Sequence, residues 1–225
     1  MKTFNMIVTF MVLPVYWIRS QWIRRFCSEQ KGSKELQLYP KHYLGFRRIR
    51  VEAHGYQPDA NIPCIYVSNH QSMNDIFVSI AAVNRPFRFI AKKELFTNLI
   101  TGTFMKMSRS YPLDRDDPRQ SLKVLKQAVD DVSKGVSALA FPEGTRSHAI
   151  DMLPFKDGIF SVLRKSSAPI VPMYIKESFN ERQKVMHVYF CEPIYPETYK
   201  EIKGAALSEY VFKRMNDMKE WVYEH

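Results

Sequence analysis

In the run VSNHQSMND, residues 67–75, His70 stands five positions before Asp75. A histidine steadied by an aspartate is a general base. The carboxylate accepts one ring proton, and the other ring nitrogen is left bare and basic. The spacing limits where the two can sit. Each helical residue turns about 100°, so residues five apart on one α-helix point roughly 140° away from each other. A working pair therefore needs His70 in the turn before a helix and Asp75 in its first turn. The same residues allow another reading. Ser72 and Asp75 fit an S-x-x-D capping box, in which Asp75 only caps the helix and His70 is an ordinary turn histidine. The other histidines, His42, His54, His148, His187 and His225, have no comparable partner nearby in the sequence and read as structural or surface residues.

A second run, FPEGTRS at 141–147, follows an apolar stretch and turns at Pro142 and Gly144. A tight turn with free amides, the Thr145 hydroxyl and the Arg146 guanidinium suits an anion, because arginine grips phosphate through a two-pronged fork. The plainer reading is a surface loop with a Glu143–Arg146 ion pair. Lys92 in AKKEL and Arg115 in YPLDR are further cationic candidates, though solvated lysines and arginines are common on any surface.

These residues need elements to hold them. Apolar, β-rich runs predict strands over 62–69, 87–91, 136–141, 169–175 and 185–190. Helical patterns fall over 72–83, 95–107, 118–135, 158–166 and 205–223. In 118–135 the spacing of Leu122, Leu125, Val129 and Val132 is helical, with Pro118 to open the helix and Gly135 to close it. Strands alternating with helices predict an α/β fold, a mostly parallel sheet flanked by helices. In such sheets sites form where strands end. Both motif loops follow predicted strands.

The chain has 225 residues and a net charge of +10. Residues 1–50 hold ten Lys/Arg against two Glu, so most of the excess lies at the N-terminus. That location, and the lack of any reader motif, argues against nucleic-acid binding despite the basic pI. Cys27, Cys64 and Cys191 form no CxxC and predict neither a disulfide framework nor a zinc site. The run FNMIVTFMVLPVYWI, residues 4–18, is shorter than the ~20 apolar residues of a spanning helix, and Pro14 interrupts it. Aromatic residues and Arg19, Arg24 and Arg25 at its end predict a helix lying in one leaflet, with its cations on anionic headgroups. No cleavage site follows, so the segment is expected to be retained. Residues 28–42 read as a connector. The chain thus divides into a membrane-associated helical segment with connector over 1–45 and an α/β domain over 46–225.

Taken in order, NHQSMND, AKKEL, YPLDR, FPEGTRS and APIVPMYI resemble the sequence blocks of the glycerolipid acyltransferase family, in a layout nearest to its bacterial lysophosphatidate acyltransferases. The resemblance covers about residues 62–190, and LPFKDGIF beyond the third block also looks familial. The chain departs from the usual pattern at Pro112 and Leu113, where phenylalanine and isoleucine commonly stand, and it lacks the proline common after KxxL. The resemblance implies an α/β acyltransferase domain behind a membrane-inserted helical motif. It implies that His70 and Asp75 are catalytic and that Lys92, Arg115 and Arg146 hold phosphate, with Glu143, Gly144 and Thr145 belonging to that pocket.

The reaction it implies takes an acyl group from a thioester, on coenzyme A or acyl carrier protein, to the sn-2 hydroxyl of 1-acyl-glycerol-3-phosphate. Other acceptors of the same chemistry are another lysophospholipid, glycerol-3-phosphate or a lyso-aminolipid. A non-catalytic peripheral lipid-binding protein is the alternative from another class. There is no G-x-S-x-G elbow and no cysteine placed beside His70, which suggests direct transfer without an acyl-enzyme. No metal or tightly bound cofactor is expected. The acyl tail is expected along the helix 95–107. The expected location is a membrane surface, the cytoplasmic face of the inner membrane if the source is bacterial.

Overall fold

The computed structural model describes residues 18, 19, 21–23, 25, 26, 42–97 and 101–225. Its centre is a seven-stranded sheet of β1 (Arg50–His54), β2 (Ile65–Ser68), β3 (Phe87–Lys92), β4 (Tyr111–Leu113), β5 (Ser137–Ala140), β6 (Ile170–Ile175) and β7 (Val185–Phe190), in the spatial order β1-β7-β6-β2-β5-β3-β4. Five neighbours, β6-β2-β5-β3-β4, run parallel. β7 is antiparallel to β6, and β1 is parallel to β7.

Helices cover both faces: α1 (Asn74–Ala82), α2 (Thr101–Met107), α3 (Pro118–Ser133), α4 (Asp157–Leu163), α5 (Pro196–Tyr199) and α6 (Gly204–Glu224). The strand alternation sorts the core into two layers. Ile65 and Val67 of β2 join Ala138, Ala140, Ile170 and the apolar sides of α3, α4 and α6. Tyr66 between them joins Leu139, Val171, Met173, Met186 and Val78 of α1 on the other face. All four residues of β2 are buried, as a strand covered on both sides requires. Burying one Val or Ile side chain contributes about 1.5–3 kcal/mol.

The expected α/β class and mostly parallel sheet are present. β1, β4 and α5 are short and fall in segments that the sequence patterns leave unassigned. Helix α3 begins at Pro118, with the Asp117 carboxylate accepting from the Arg119 and Gln120 amides, and Gly135 follows its end with φ +96°. Its buried seam is Val124, Leu125, Ala128 and Val132, while the expected Leu122 is exposed. The helix expected over 95–107 is divided. A 3-10 turn covers Lys93–Phe96 and α2 starts at Thr101. A Cβ on Gly102 would lie 2.4 Å from the Phe96 carbonyl oxygen, so this close return of the chain needs glycine.

Residues 42–46 are helical, and Leu44 is buried in the core. Of the expected membrane helix 4–18 and connector 28–42, only Ile18 and His42 lie within the described residues. The described part of 18–26 is helical and buries Ile23, while Ile18, Trp22 and Phe26 are exposed at i, i+4 and i+8. Among the described residues no helix is long and apolar enough to cross a membrane.

Candidate active site

The five parallel strands release their loops at one edge of the sheet, because each ends there. β2 leads to His70, β5 to the 141–147 turn, β3 to Lys92 and Lys93, β4 to Asp114 and Arg115, and β6 to Ser178. Residues separated by more than a hundred positions thus become neighbours. The end of β2 is locked to β6 by Asn69, whose side chain donates to the Ile175 carbonyl (3.0 Å) and accepts from the Ile175 amide (2.7 Å).

His70 lies in the turn before α1 and Asp75 in its first turn. Their side chains meet, His70 Nδ1 to Asp75 Oδ2, at 2.8 Å. The same oxygen accepts the backbone N–H groups of Gln71 (2.6 Å) and Ser72 (2.8 Å), and Oδ1 accepts from the Ser178 hydroxyl. The two readings of the motif therefore merge: one carboxylate caps the turn and also holds the imidazole. Every partner of this fully buried carboxylate is a donor, so the proton on the His70–Asp75 contact resides on Nδ1 and Nε2 is the bare nitrogen. Phe141 stacks on the imidazole, with centroids 4.3 Å apart and planes inclined by 21°. The ring cannot swing without losing both contacts, and its side chain is 16% exposed.

Glu143, placed in the phosphate-binding group by the family resemblance, turns inward. It is 2% exposed. Its Oε1 accepts the His70 amide (2.6 Å) and Oε2 accepts the Leu153 amide (2.8 Å). A carboxylate spent in this way braces the His70 backbone and does not face an anion. The Glu143–Arg146 ion pair is not formed. Burial pushes the Glu143 carboxyl up to about 7, against the two backbone amides, which pull it down. The folded state therefore resists the charge. Below the unfolded value of 4.5 this group is neutral in both states and adds no penalty. As pH rises from there to about 7 the unfolded chain ionises first, and stability is lost by roughly 3 kcal/mol at about 1.4 kcal/mol per unit. Glu143→Gln removes that titration but leaves an amide N–H₂ facing a backbone N–H, at about 1–3 kcal/mol. Urea unfolding at pH 5, 6, 7 and 8 is expected to show wild type ahead of Glu143→Gln by most at pH 5, with the gap narrowing toward pH 7. A pH-independent gap would show that the carboxyl keeps its ordinary value.

Gly144 adopts φ +75°, a left-handed turn open to glycine. A Cβ there would come within 3.7 Å of the Arg115 guanidinium carbon and 3.7–3.8 Å of the Lys156 stem. The tip of the turn is thus flanked by two cations. Lys156 has its amide bonded to the Pro142 carbonyl at 2.9 Å. Arg146 and Thr145 are exposed, and Arg146 has no ion-pair partner among the described residues. Lys92 stands 3.6 Å from Glu94 at the surface, while its neighbour Lys93 pairs with Asp114 at 2.5 Å and ties the β3 and β4 loops together. Among the expected residues, His70, Asp75, Glu143, Gly144 and Arg115 are linked by direct contact or close approach, and Lys92, Thr145 and Arg146 share their edge.

Sequence reasoning passes over four participants. Gln71 and Asn74 both hold Ser178, through the Ser178 amide to Gln71 Oε1 (3.0 Å) and Asn74 Nδ2 to the Ser178 carbonyl (3.0 Å). Their place inside NHQSMND was a usable signal. Lys156 lies in the quoted LPFKDGIF run. Ser178 carries no sequence signal, since it is 103 positions from the carboxylate it touches.

The family model described as Acyltransferase matches residues 48–176. A 1-acyl-sn-glycerol-3-phosphate acyltransferase of Brassica napus, described as chloroplastic, is 36% identical over 138 residues, 61% of this chain and 38% of that protein. The 1-acyl-sn-glycerol-3-phosphate acyltransferase of Saccharomyces cerevisiae is 35% identical over 133 residues, 58% of this chain and 44% of that one. The chain thus spans less than half the length of these relatives. The crystal structure of the 1-acyl-sn-glycerophosphate acyltransferase PlsC from Thermotoga maritima has the same fold, with TM-score 0.78 at 22% identity, covering 100% of this chain and 98% of that one.

Proposed function

The chain belongs to the acyltransferase family, and from that membership we propose that it moves a fatty acyl group from an acyl thioester to the sn-2 hydroxyl of 1-acyl-glycerol-3-phosphate, giving phosphatidic acid. One observation carries the reading: the 2.8 Å His70–Asp75 contact, with Nε2 left bare, lies in a loop tied directly to the turn that Arg115 and Lys156 flank. Named relatives that act on this acceptor support the choice of substrate.

In the proposed reaction, Nε2 of His70 takes the acceptor's hydroxyl proton as that oxygen attacks the thioester carbonyl. Such base catalysis contributes about 10²–10⁴-fold. The buried Asp75 carboxylate faces the imidazolium that forms and holds its proton on Nδ1. The tetrahedral intermediate collapses with cleavage of the C–S bond. The thiolate, from a thiol of pKa about 8.5, leaves readily and recovers the proton from His70. The donor is coenzyme A or acyl carrier protein. The acceptor phosphate binds where Arg115 and Lys156 flank Gly144, with Arg146 and Lys92 beside them. Charged hydrogen bonds contribute about 1.5–3 kcal/mol each, so Arg115→Ala is expected to raise KM for lysophosphatidate about tenfold or more with kcat changed little. An unchanged KM would remove Arg115 from the phosphate site. The defining assay is purified protein with labelled acyl thioester and lysophosphatidate, products resolved by mass. Formation of acyl product only from other lysolipids would move the reading to another acceptor.

The exposed Ile18, Trp22 and Phe26, one helical face beside Arg19 and Arg25, support a membrane-surface location. Aromatic residues next to cations suit the headgroup level of anionic lipid.

A further inference from the structure

His54 and His187, which look isolated in the sequence, come together at the sheet edge. Among the described residues β1 is the edge strand and pairs only with β7, in a register that sets Glu52 opposite His187 and His54 opposite Tyr189. Side chains two apart on a strand share a face. Glu52, His54, His187 and Tyr189 therefore occupy one patch, on the opposite face from Val51, Met186 and Val188, which enter the core beneath α1. His54 Nε2 lies 3.0 Å from His187 Nδ1, and His187 Nδ1 lies 3.5 Å from Glu52 Oε2. One ligand atom from each of the three falls within 4.8 Å of the others.

We propose that Glu52, His54 and His187 form a binding site for a divalent transition-metal ion of the zinc class, fastening the edge strand β1 to β7. Zinc holds imidazole nitrogen and carboxylate oxygen at about 2.0–2.2 Å in a tetrahedron, which sets ligand atoms about 3.3–3.4 Å apart. Two of the separations, 3.0 and 3.5 Å, bracket that spacing. Two histidines and a carboxylate are the donor set that zinc accepts with a water in the fourth position.

Neighbouring side chains restrain two of the three donors, His54 and Glu52. Tyr189 stacks on the His54 ring, with centroids 4.7 Å apart and planes within 18°. Arg50 holds the other Glu52 oxygen, Oε1, at 2.6 Å, which leaves Oε2 for the ion. The cations nearby are Arg50 and Lys176. The ammonium of Lys176 is engaged elsewhere, over the Tyr223 ring at 4.6 Å and on the Val222 carbonyl. The Glu52 and His187 side chains are 35% and 31% exposed, which leaves a path for the ion and its water. In the sheet β6 and β7 separate β1 from β2 and its His70 loop, so this site is independent of acyl transfer.

The test uses the full chain, freed of metal by chelation and titrated separately with Zn²⁺ and with Co²⁺. One equivalent of Zn²⁺ is expected to bind and to raise Tm, and Co²⁺ is expected to give the intense visible bands of a four-coordinate site. Losing even an outer partner of a metal site costs about 10–100-fold in affinity. His54→Gln and His187→Gln, each checked for a native circular dichroism spectrum, are therefore expected to weaken Zn²⁺ at least about 100-fold and to abolish the Tm rise. Glu52→Gln, at the more exposed ligand, is expected to weaken Zn²⁺ in the same way and serves in place of either histidine variant that fails to fold. His70→Ala is expected to bind Zn²⁺ as wild type does. The proposal is overturned if Zn²⁺ does not saturate at one equivalent, if binding survives both histidine changes, or if His70→Ala abolishes it. The histidines would then be no more than a hydrogen-bonded pair across two strands.

Discussion

His70→Ala is expected to lower kcat about 10²–10⁴-fold, the usual worth of a positioned general base, while Tm moves little. The two effects separate because of how the histidine is built in. Its backbone amide and carbonyl, bonded to Glu143 and the Ser147 amide, hold the loop in place and survive the change. Only the imidazole is removed. It is partly exposed, and beyond its Asp75 contact it serves as the face against which Phe141 stacks. The lost apolar contact is small. What vanishes is the nitrogen that the proposed chemistry uses as its base. Steady-state kinetics with saturating thioester and acceptor, alongside a thermal melt, reads both quantities. Wild-type turnover in a folded His70→Ala protein would overturn the proposed chemistry at its root.

Asp75→Asn is the second large effect, and the hydrogen-bond pattern makes it interpretable. Oδ2 accepts three N–H groups, and Oδ1 meets a serine hydroxyl, which can donate or accept. An asparagine can keep its oxygen at the Oδ2 position and direct its N–H₂ to Ser178 Oγ, whose proton rotates away. The turn and the Nδ1 tautomer both persist. The negative charge facing the developing imidazolium does not. Removal of a buried partner's charge leaves a buried cation unsupported, at about 3–5 kcal/mol, so kcat is expected to fall about 10²–10⁴-fold with KM nearly unchanged. Asp75→Ala, by contrast, strands the Gln71 and Ser72 amides, and is expected to lower Tm as well as kcat. If Asp75→Asn retained near wild-type kcat, the carboxylate would be a cap and nothing more.

The alternation of apolar runs with helical patterns made the layer architecture legible, because a strand covered on both faces must be apolar throughout and a helix on its surface must be striped. The placement of both motifs after strands was legible for the same reason. The turn per residue put His70 before α1 and Asp75 in its first turn if the two pair, but it left the pair and the plain helix cap as alternatives. Short elements were not legible: β1 holds charged residues because its exposed face needs no apolar side chains, and β4 is three residues long. Nor was the inward turn of Glu143, since a carboxylate beside an arginine in sequence says nothing of which backbone amides the fold will bring to it. Ser178, and the meeting of Glu52 and His54 with His187, depend on strand order, which local sequence does not encode.

The pairing of Asp75 with Ser178, and of Asn69 with Ile175, has a consequence for synthesis. Both motif runs have been polymerised once the chain reaches Ser147, but the strand that carries Ile175, and the serine just past it, have not. A nascent chain of that length holds every residue proposed to touch substrate except Lys156, yet it lacks the Ser178 hydroxyl that steadies Asp75 and the Ile175 backbone that holds Asn69. Competence in the proposed acyl transfer should therefore appear late and abruptly during translation, after β6 has emerged and slotted against β2, so that a half-made polypeptide does none of the proposed chemistry.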